Sequence, residues 1–156
     1  MTGFVSLEAA NGTFTDDSVE AFGQRTIRFM AVVGMANLAV KVIDLDAACE
    51  WYRAAGAEVS DPIEWENGRR SDVRLGWLNI SLFTAAIYED ACRLPAEGFL
   101  HPALFVDDLD AELAKHDVLW GPRTVTGPFG TRRIAFVEAP GGIRLEFMEQ
   151  LEQPGH

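Results

Sequence analysis

From residue 37 onward the chain is dominated by short runs in which apolar and polar side chains alternate, the period of half-buried strands. Residues 37–43 read as a first strand, ended by an acidic turn. Over roughly 45–55 the spacing changes to that of a helix, which Asp44 can cap. Three further strands are predicted in AEVSDPIEW, RSDVRLGW and WLNISLFTA, the first two parted by the turn signal ENG. The order then recurs. A strand over 101–106 leads into a helix over 108–116, and VLWGPRTVT, TRRIAFVEA and IRLEFMEQ follow, broken at GPFG and PGG.

The recurrence extends to residue identity. With Asn37 set against His101, the following positions pair without a gap. Ala39 and Ala103, Val42 and Val106, Asp44 and Asp108, Leu45 and Leu109, Asp46 and Asp110, and Ala47 and Ala111 are identical. A period near 64 residues is too long for a solenoid unit and suits a duplicated supersecondary module. The expected organisation is an N-terminal extension over 1–35, a first βαβββ module over 36–85, a linker over 86–98 and a second module over 99–150. The extension, with DDSVEAFGQRTIRFMAVVG, suits a helix or a helix followed by a strand, packed on the modules or on a second subunit.

Strand parity sorts the side chains into faces. His101, Ala103 and Phe105 share one face, and Pro102, Leu104 and Val106 share the other. The all-apolar set suits the following helix, which turns His101 toward the concave side. In the last strand Arg144, Glu146 and Met148 oppose Ile143, Leu145 and Phe147. A carboxylate in a half-buried strand needs a partner. For Glu146 that partner is Arg144, Arg132 or Arg133, a solvated sheet face, or a metal ion. His101 is either a satisfied core histidine or a ligand. Imidazole nitrogen and carboxylate oxygen are apt donors to a divalent transition metal if the two strands are neighbours. Trp77, Asn79 and Ser81 share a parity that would line the same cavity. Lys41 and Arg144, on the faces of Asn37 and Glu146, are either guides for an anionic substrate or ordinary ion-pair partners. His116 closes the second helix, where it can meet the last carbonyls.

Composition narrows the class. The chain has 156 residues, 48% hydrophobic and 10% aromatic, which describes a folded globular protein. A net charge of −11 argues against nucleic acid or an anionic membrane as partner and is compatible with a cationic ligand. The opening residues lack the basic and apolar regions of a signal peptide, so a cytoplasmic protein is expected. Cys49 and Cys92 make neither a metal pair nor a disulfide framework. No HExxH, CxxC, P-loop or GxGxxG is present, and GPFG and PGG read as turns.

With this pattern in hand, the chain resembles the vicinal oxygen chelate superfamily, which includes glyoxalase I, extradiol dioxygenases and bleomycin resistance proteins. The resemblance covers roughly residues 36–150 and rests on HPALFVDDLDA, GGIRLEFME and the degenerate first copy NLAVKVIDLDAACEWY. The second module looks most like methylmalonyl-CoA epimerase. The resemblance implies an α+β fold of two tandem βαβββ modules, forming an incomplete barrel around an enclosed cleft. It implies metal ligands on the first and last strands: His101 and Glu146 in the second module, Asn37 and Ser81 at the matching places in the first. Asn37 offers a neutral amide oxygen, giving an Asn37–His101–Glu146 set. Ser81 suits a hydrogen bond to substrate better than a metal.

Two readings follow from the resemblance. One is a metal-assisted isomerase, epimerase or lyase on an oxygenated metabolite, using Mn, Fe, Co, Ni or Zn to stabilise an enolate. Glu146 is its catalytic group, and Ser81, Asn79, Trp77 and Arg144 contact its substrate. The other is a metal-independent member, either a drug-sequestering resistance protein or a cyclase or isomerase of polyketide-like compounds. A homodimer is expected in either case.

Overall fold

The computed structural model describes residues 32–155. The expected helix over the N-terminal extension therefore lies outside the described residues, although strand pairing begins at Val32, inside the span assigned to the extension. The first module comprises β1 (Val32–Lys41), α1 (Leu45–Ala54), β2 (Glu58–Val59), β3 (Ile63–Trp65), β4 (Gly68–Leu75) and β5 (Leu78–Phe83). The second comprises β6 (Gly98–Val106), α2 (Leu109–Leu113), β7 (Val118–Gly127), β8 (Gly130–Ala139) and β9 (Ile143–Glu152). What the sequence reads as one strand, AEVSDPIEW, is two short ones, β2 and β3, with Pro62 between them. Proline has no N–H to give to a ladder.

The nine strands among the described residues belong to one sheet, ordered β2-β4-β5-β1-β6-β9-β8-β7, with β3 paired to β4 off that path. The sheet is strongly strand-rich and is not closed into a barrel. At its centre the first strands of the two modules pair antiparallel, β1 with β6. Each is flanked by the last strand of its own module running parallel, β5 beside β1 and β9 beside β6. The two halves are thus related by a pseudo-twofold axis through the β1–β6 ladder.

The repeated DLDA has a physical cause in each half. Asp44 accepts a hydrogen bond from the Ala47 amide at 2.9 Å, and Asp108 accepts one from the Ala111 amide at 2.9 Å. Each thereby satisfies a backbone donor that the first turn of a helix leaves unpaired. The second aspartate reaches the sheet. Asp46 pairs with Arg69 at 3.1 Å and Asp110 with Arg133 at 2.7 Å, both partners lying 23 residues further on. The helices cover the outer face. Leu45 and Cys49 of α1 pack on Val73, Ile80 and Leu82, and Leu109 and Leu113 of α2 on Val106, Ala135, Val137 and Phe147. The second helix ends at Leu113, earlier than expected. His116 does not cap it; its ring meets Glu112 Oε1 at 3.0 Å. Both cysteines are free thiols, Cys49 buried as expected. No helix among the described residues is long and apolar enough to cross a membrane.

Replacing Asp44 or Asp108 by alanine removes one cap each. Each variant is expected to lose about 1 kcal/mol in urea denaturation, with little change in the spectrum of the folded state.

Candidate active site

The inner face of the sheet is laid out by register. One row across the strands runs Asp72, Ser81, Ala39, His101. The adjacent row runs Asn37, Ala103, Glu146, Phe136. Ser81 stands beside Ala39 as Glu146 stands beside Ala103, so these two positions are equivalent in the two modules. Both alanines are completely buried at the centre of the rows. Their small side chains leave a hollow where larger ones would fill it.

Asn37, Ser81, His101 and Glu146 all line this hollow, a pocket of about 520 Å³ including its open mouth. Its apolar wall includes Trp65, Phe83, Phe129 and Phe136. His101 is 4% exposed and Glu146 9%, so each needs a partner, and each finds the other. His101 Nε2 lies 3.1 Å from Glu146 Oε2, and the Tyr88 hydroxyl lies 2.8 Å from His101 Nδ1. A carboxylate only accepts, so in this chain Nε2–H donates to Glu146 and Nδ1 accepts from Tyr88. Burial pushes the Tyr88 hydroxyl well above its ordinary pKa, against the opposing charge of Arg144, and keeps it a hydrogen-bond donor. Glu146 Oε1 has no hydrogen-bond partner among the described residues.

The remaining expectations fare differently. Ser81 donates its hydroxyl to Asp72 Oδ1 at 2.6 Å, so its proton is already committed and is not free for a substrate. Asn79 is exposed, donates to the Ala36 carbonyl at 3.3 Å and lines a wider outer groove instead of the inner pocket. Trp77 does not line the pocket. Strand β4 stops at Leu75 and β5 starts at Leu78, leaving Trp77 in the turn at 88% exposure, where strand parity has no meaning. Arg144 does not reach the pocket either. It packs under the linker, with Nη1 3.9 Å from Cys92 Sγ and a buried Nε that has no hydrogen-bond partner. Lys41 is paired with Glu89.

The cations that do face the pocket are Arg70 and Arg132. Each belongs to an Arg-Arg pair whose other member, Arg69 or Arg133, turns to the helix side and binds the DLDA aspartate. Alternation in RRS and TRRIAFVEA carried that signal, since Arg132 shares a face with Ile134 and Phe136. Tyr88 comes from the linker, which has no periodicity to read. Phe129 comes from the GPFG turn and packs against Trp65, with ring centroids 5.3 Å apart.

The donors present can be tested against a metal ion. No group of three or more His, Cys, Asp or Glu side chains able to hold one occurs among the described residues. The available set is the His101 imidazole, the Glu146 carboxylate and the Asn37 amide. These types suit a divalent transition ion that completes its shell with substrate oxygens. In the other tautomer Nε2 is free to ligate and Nδ1–H donates to the Tyr88 oxygen, which gives the hydrogen bond at the second ring nitrogen that ligating histidines make. The residues fit such an ion.

Neither a family model nor a curated protein matches the sequence. Solved structures do match the fold. Methylmalonyl-CoA epimerase from Mycobacterium tuberculosis superposes with a TM-score of 0.62 at 21% identity, covering 82% of this chain and 95% of that one. A methylmalonyl-CoA epimerase in complex with methylmalonyl-CoA and NH4+ gives 0.58 at 26%, covering 79% and 98%. A glyoxalase/bleomycin resistance protein/dioxygenase superfamily member from Vibrio splendidus 12B01 gives 0.53 at 11%, covering 75% and 99%. The chain has the vicinal oxygen chelate fold. In this chain the first and last strands of both modules do converge on one pocket.

Tyr88→Phe deletes one oxygen from a packed interior and leaves Nδ1 of His101 unpaired. The expected loss is about 1–3 kcal/mol, read as a lowered urea midpoint; an unchanged midpoint would show that the bond adds nothing.

Proposed function

We propose that this chain is a small-molecule enzyme of the glyoxalase-like kind, an isomerase, epimerase or lyase that moves a proton at a carbon next to a carbonyl. The observation that carries the reading is the Glu146 carboxylate, buried on the pocket floor with one oxygen bonded to His101 and the other open to the pocket. Oε1 takes the proton from a substrate carbon packed against the aromatic wall, and returns it to complete an isomerisation. The hydrogen bond from His101 holds Oε2 and fixes the direction in which Oε1 points. The apolar wall of Trp65, Phe83 and Phe129 limits the water that competes for that proton. With a divalent ion bound, His101, Glu146 and Asn37 would hold it, Nε2 giving up its hydrogen bond to Glu146, and the ion would supply Lewis acidity toward the oxygen on which negative charge develops.

The neighbour that binds methylmalonyl-CoA supports an α-branched acyl thioester as the first compound to test. The wild-type protein, incubated with methylmalonyl-CoA and related acyl thioesters in D2O, is expected to exchange the α-proton, followed by NMR. Glu146→Gln is expected to slow that exchange by about 10²–10⁴-fold. Equal exchange in both proteins would sink the assignment of Glu146. Metal analysis of the purified protein is expected to find a divalent ion that His101→Ala removes.

A second reading keeps the pocket and dispenses with the ion, as in a cofactor-free cyclase or isomerase. It is favoured by Ser81, a neutral hydroxyl tied to Asp72, at the place equivalent to Glu146. Sequestration of a cationic drug has less support, because the cations Arg70 and Arg132 stand at the pocket despite the acidic whole. A protein that exchanges the α-proton and holds no metal selects this second reading.

A further inference from the structure

The two guanidinium groups at the pocket are not in the same situation. Arg70 is neutralised, with Nε and Nη2 3.1 and 2.9 Å from Asp72 Oδ1. Arg132 meets only neutral groups: Nε donates to Gln150 Oε1 at 2.7 Å, and Nη1 lies 3.9 Å from Met148 Sδ. Among the described residues no carboxylate lies within ion-pair distance of it, and its Nη2 makes no hydrogen bond. The group is nevertheless drawn into the protein. Its centre lies 4.3 Å from the Phe129 ring and 5.0 Å from the Phe105 ring.

Burial, together with the nearby charge of Arg70, lowers the pKa of Arg132 from the ordinary guanidinium value, against the opposing effect of Glu146 and Asp72. A guanidinium remains charged through such a shift. The aromatic faces offset part of the cost of holding it there. They do not supply the negative charge that a half-buried cation lacks. Arg132 presents a flat fork of N–H donors, stacked on two rings, with Nη2 unused.

We propose that Arg132 anchors a carboxylate of the substrate, next to an apolar or aromatic part, whether the rest of the ligand is free or carried on a thioester. Two parallel N–H···O bonds from one guanidinium match a carboxylate in both charge and shape. Arg70, balanced by Asp72, adds polarity beside it without a second net charge. Trp65, Phe83, Phe129 and Phe136 take the apolar body, and the far end of the ligand meets Glu146. The orientation toward Glu146 rests on the proton-transfer reading above; the carboxylate anchor does not.

Benzoate, benzamide and benzylamine share a body and differ in charge, and their binding to the full chain can be followed by NMR titration. Benzoate is expected to bind more tightly than benzamide by on the order of tenfold, the worth of one charge-assisted hydrogen-bonded pair. Arg132→Met is expected to abolish that preference, Arg132→Lys to restore part of it, and Arg144→Met to leave it intact. If Arg132→Met does not fold, the Arg132 Nη–H resonances of the wild type decide: they must shift at lower concentrations of benzoate than of benzamide. Equal binding of benzoate and benzamide, no binding of benzoate, a preference for benzylamine, or a preference that survives in Arg132→Met overturns the proposal. Glu146→Gln is expected to keep the benzoate preference while losing proton exchange, so the anchor and the proton-transfer reading fail separately.

Discussion

Everything at the candidate site depends on the antiparallel pairing of β1 with β6. That ladder fixes Ala39 opposite His101 and Asn37 opposite Ala103, on the inner face of the sheet. The parallel neighbours then bring Ser81 and Glu146 alongside the two alanines. A slip of one residue would turn every one of these groups to the helix side. The outer face guards against this, because the same slip would place apolar residues such as Leu104 and Val106 inside and leave α2 without its core. Packing on one face therefore sets the chemistry on the other.

The pseudo-twofold does not produce two equal half-sites. Second-module positions hold an imidazole and a carboxylate, where the first module has an amide and a hydroxyl. Carboxylate character has moved by one strand in the first module, to Asp72, where Arg70 neutralises it. The result is a pocket with a polarised axis. Glu146 and His101 line the inner pocket alone, whereas Arg70, Arg132 and Phe129 line both it and the outer groove. Such an arrangement makes the two ends of the pocket chemically different, which a symmetric pair of sites does not do.

Much of this was legible in the sequence, for identifiable reasons. Period-two alternation and the DLDA caps gave the order of the elements, because a cap and a strand face are local properties. The convergence of Asn37, Ser81, His101 and Glu146 followed from the repeat together with the resemblance. Expectations failed where they depended on strand ends or on which partner a side chain would choose. Trp77 had the right parity in a strand that stops before reaching it. Arg144 shares a face with Glu146 but lies beneath the linker. Tyr88 and Phe129 were invisible because neither a linker nor a turn has a period. Arg132 was present in the reading only as a partner for Glu146, and the stacking that separates it from carboxylates is a tertiary property.

Tyr88 also breaks the symmetry of the repeat. The segment that joins the modules occurs once in the chain, so the hydroxyl it carries cannot serve both half-sites alike. It meets His101 of the second module, and the imidazole is held from outside its own strand.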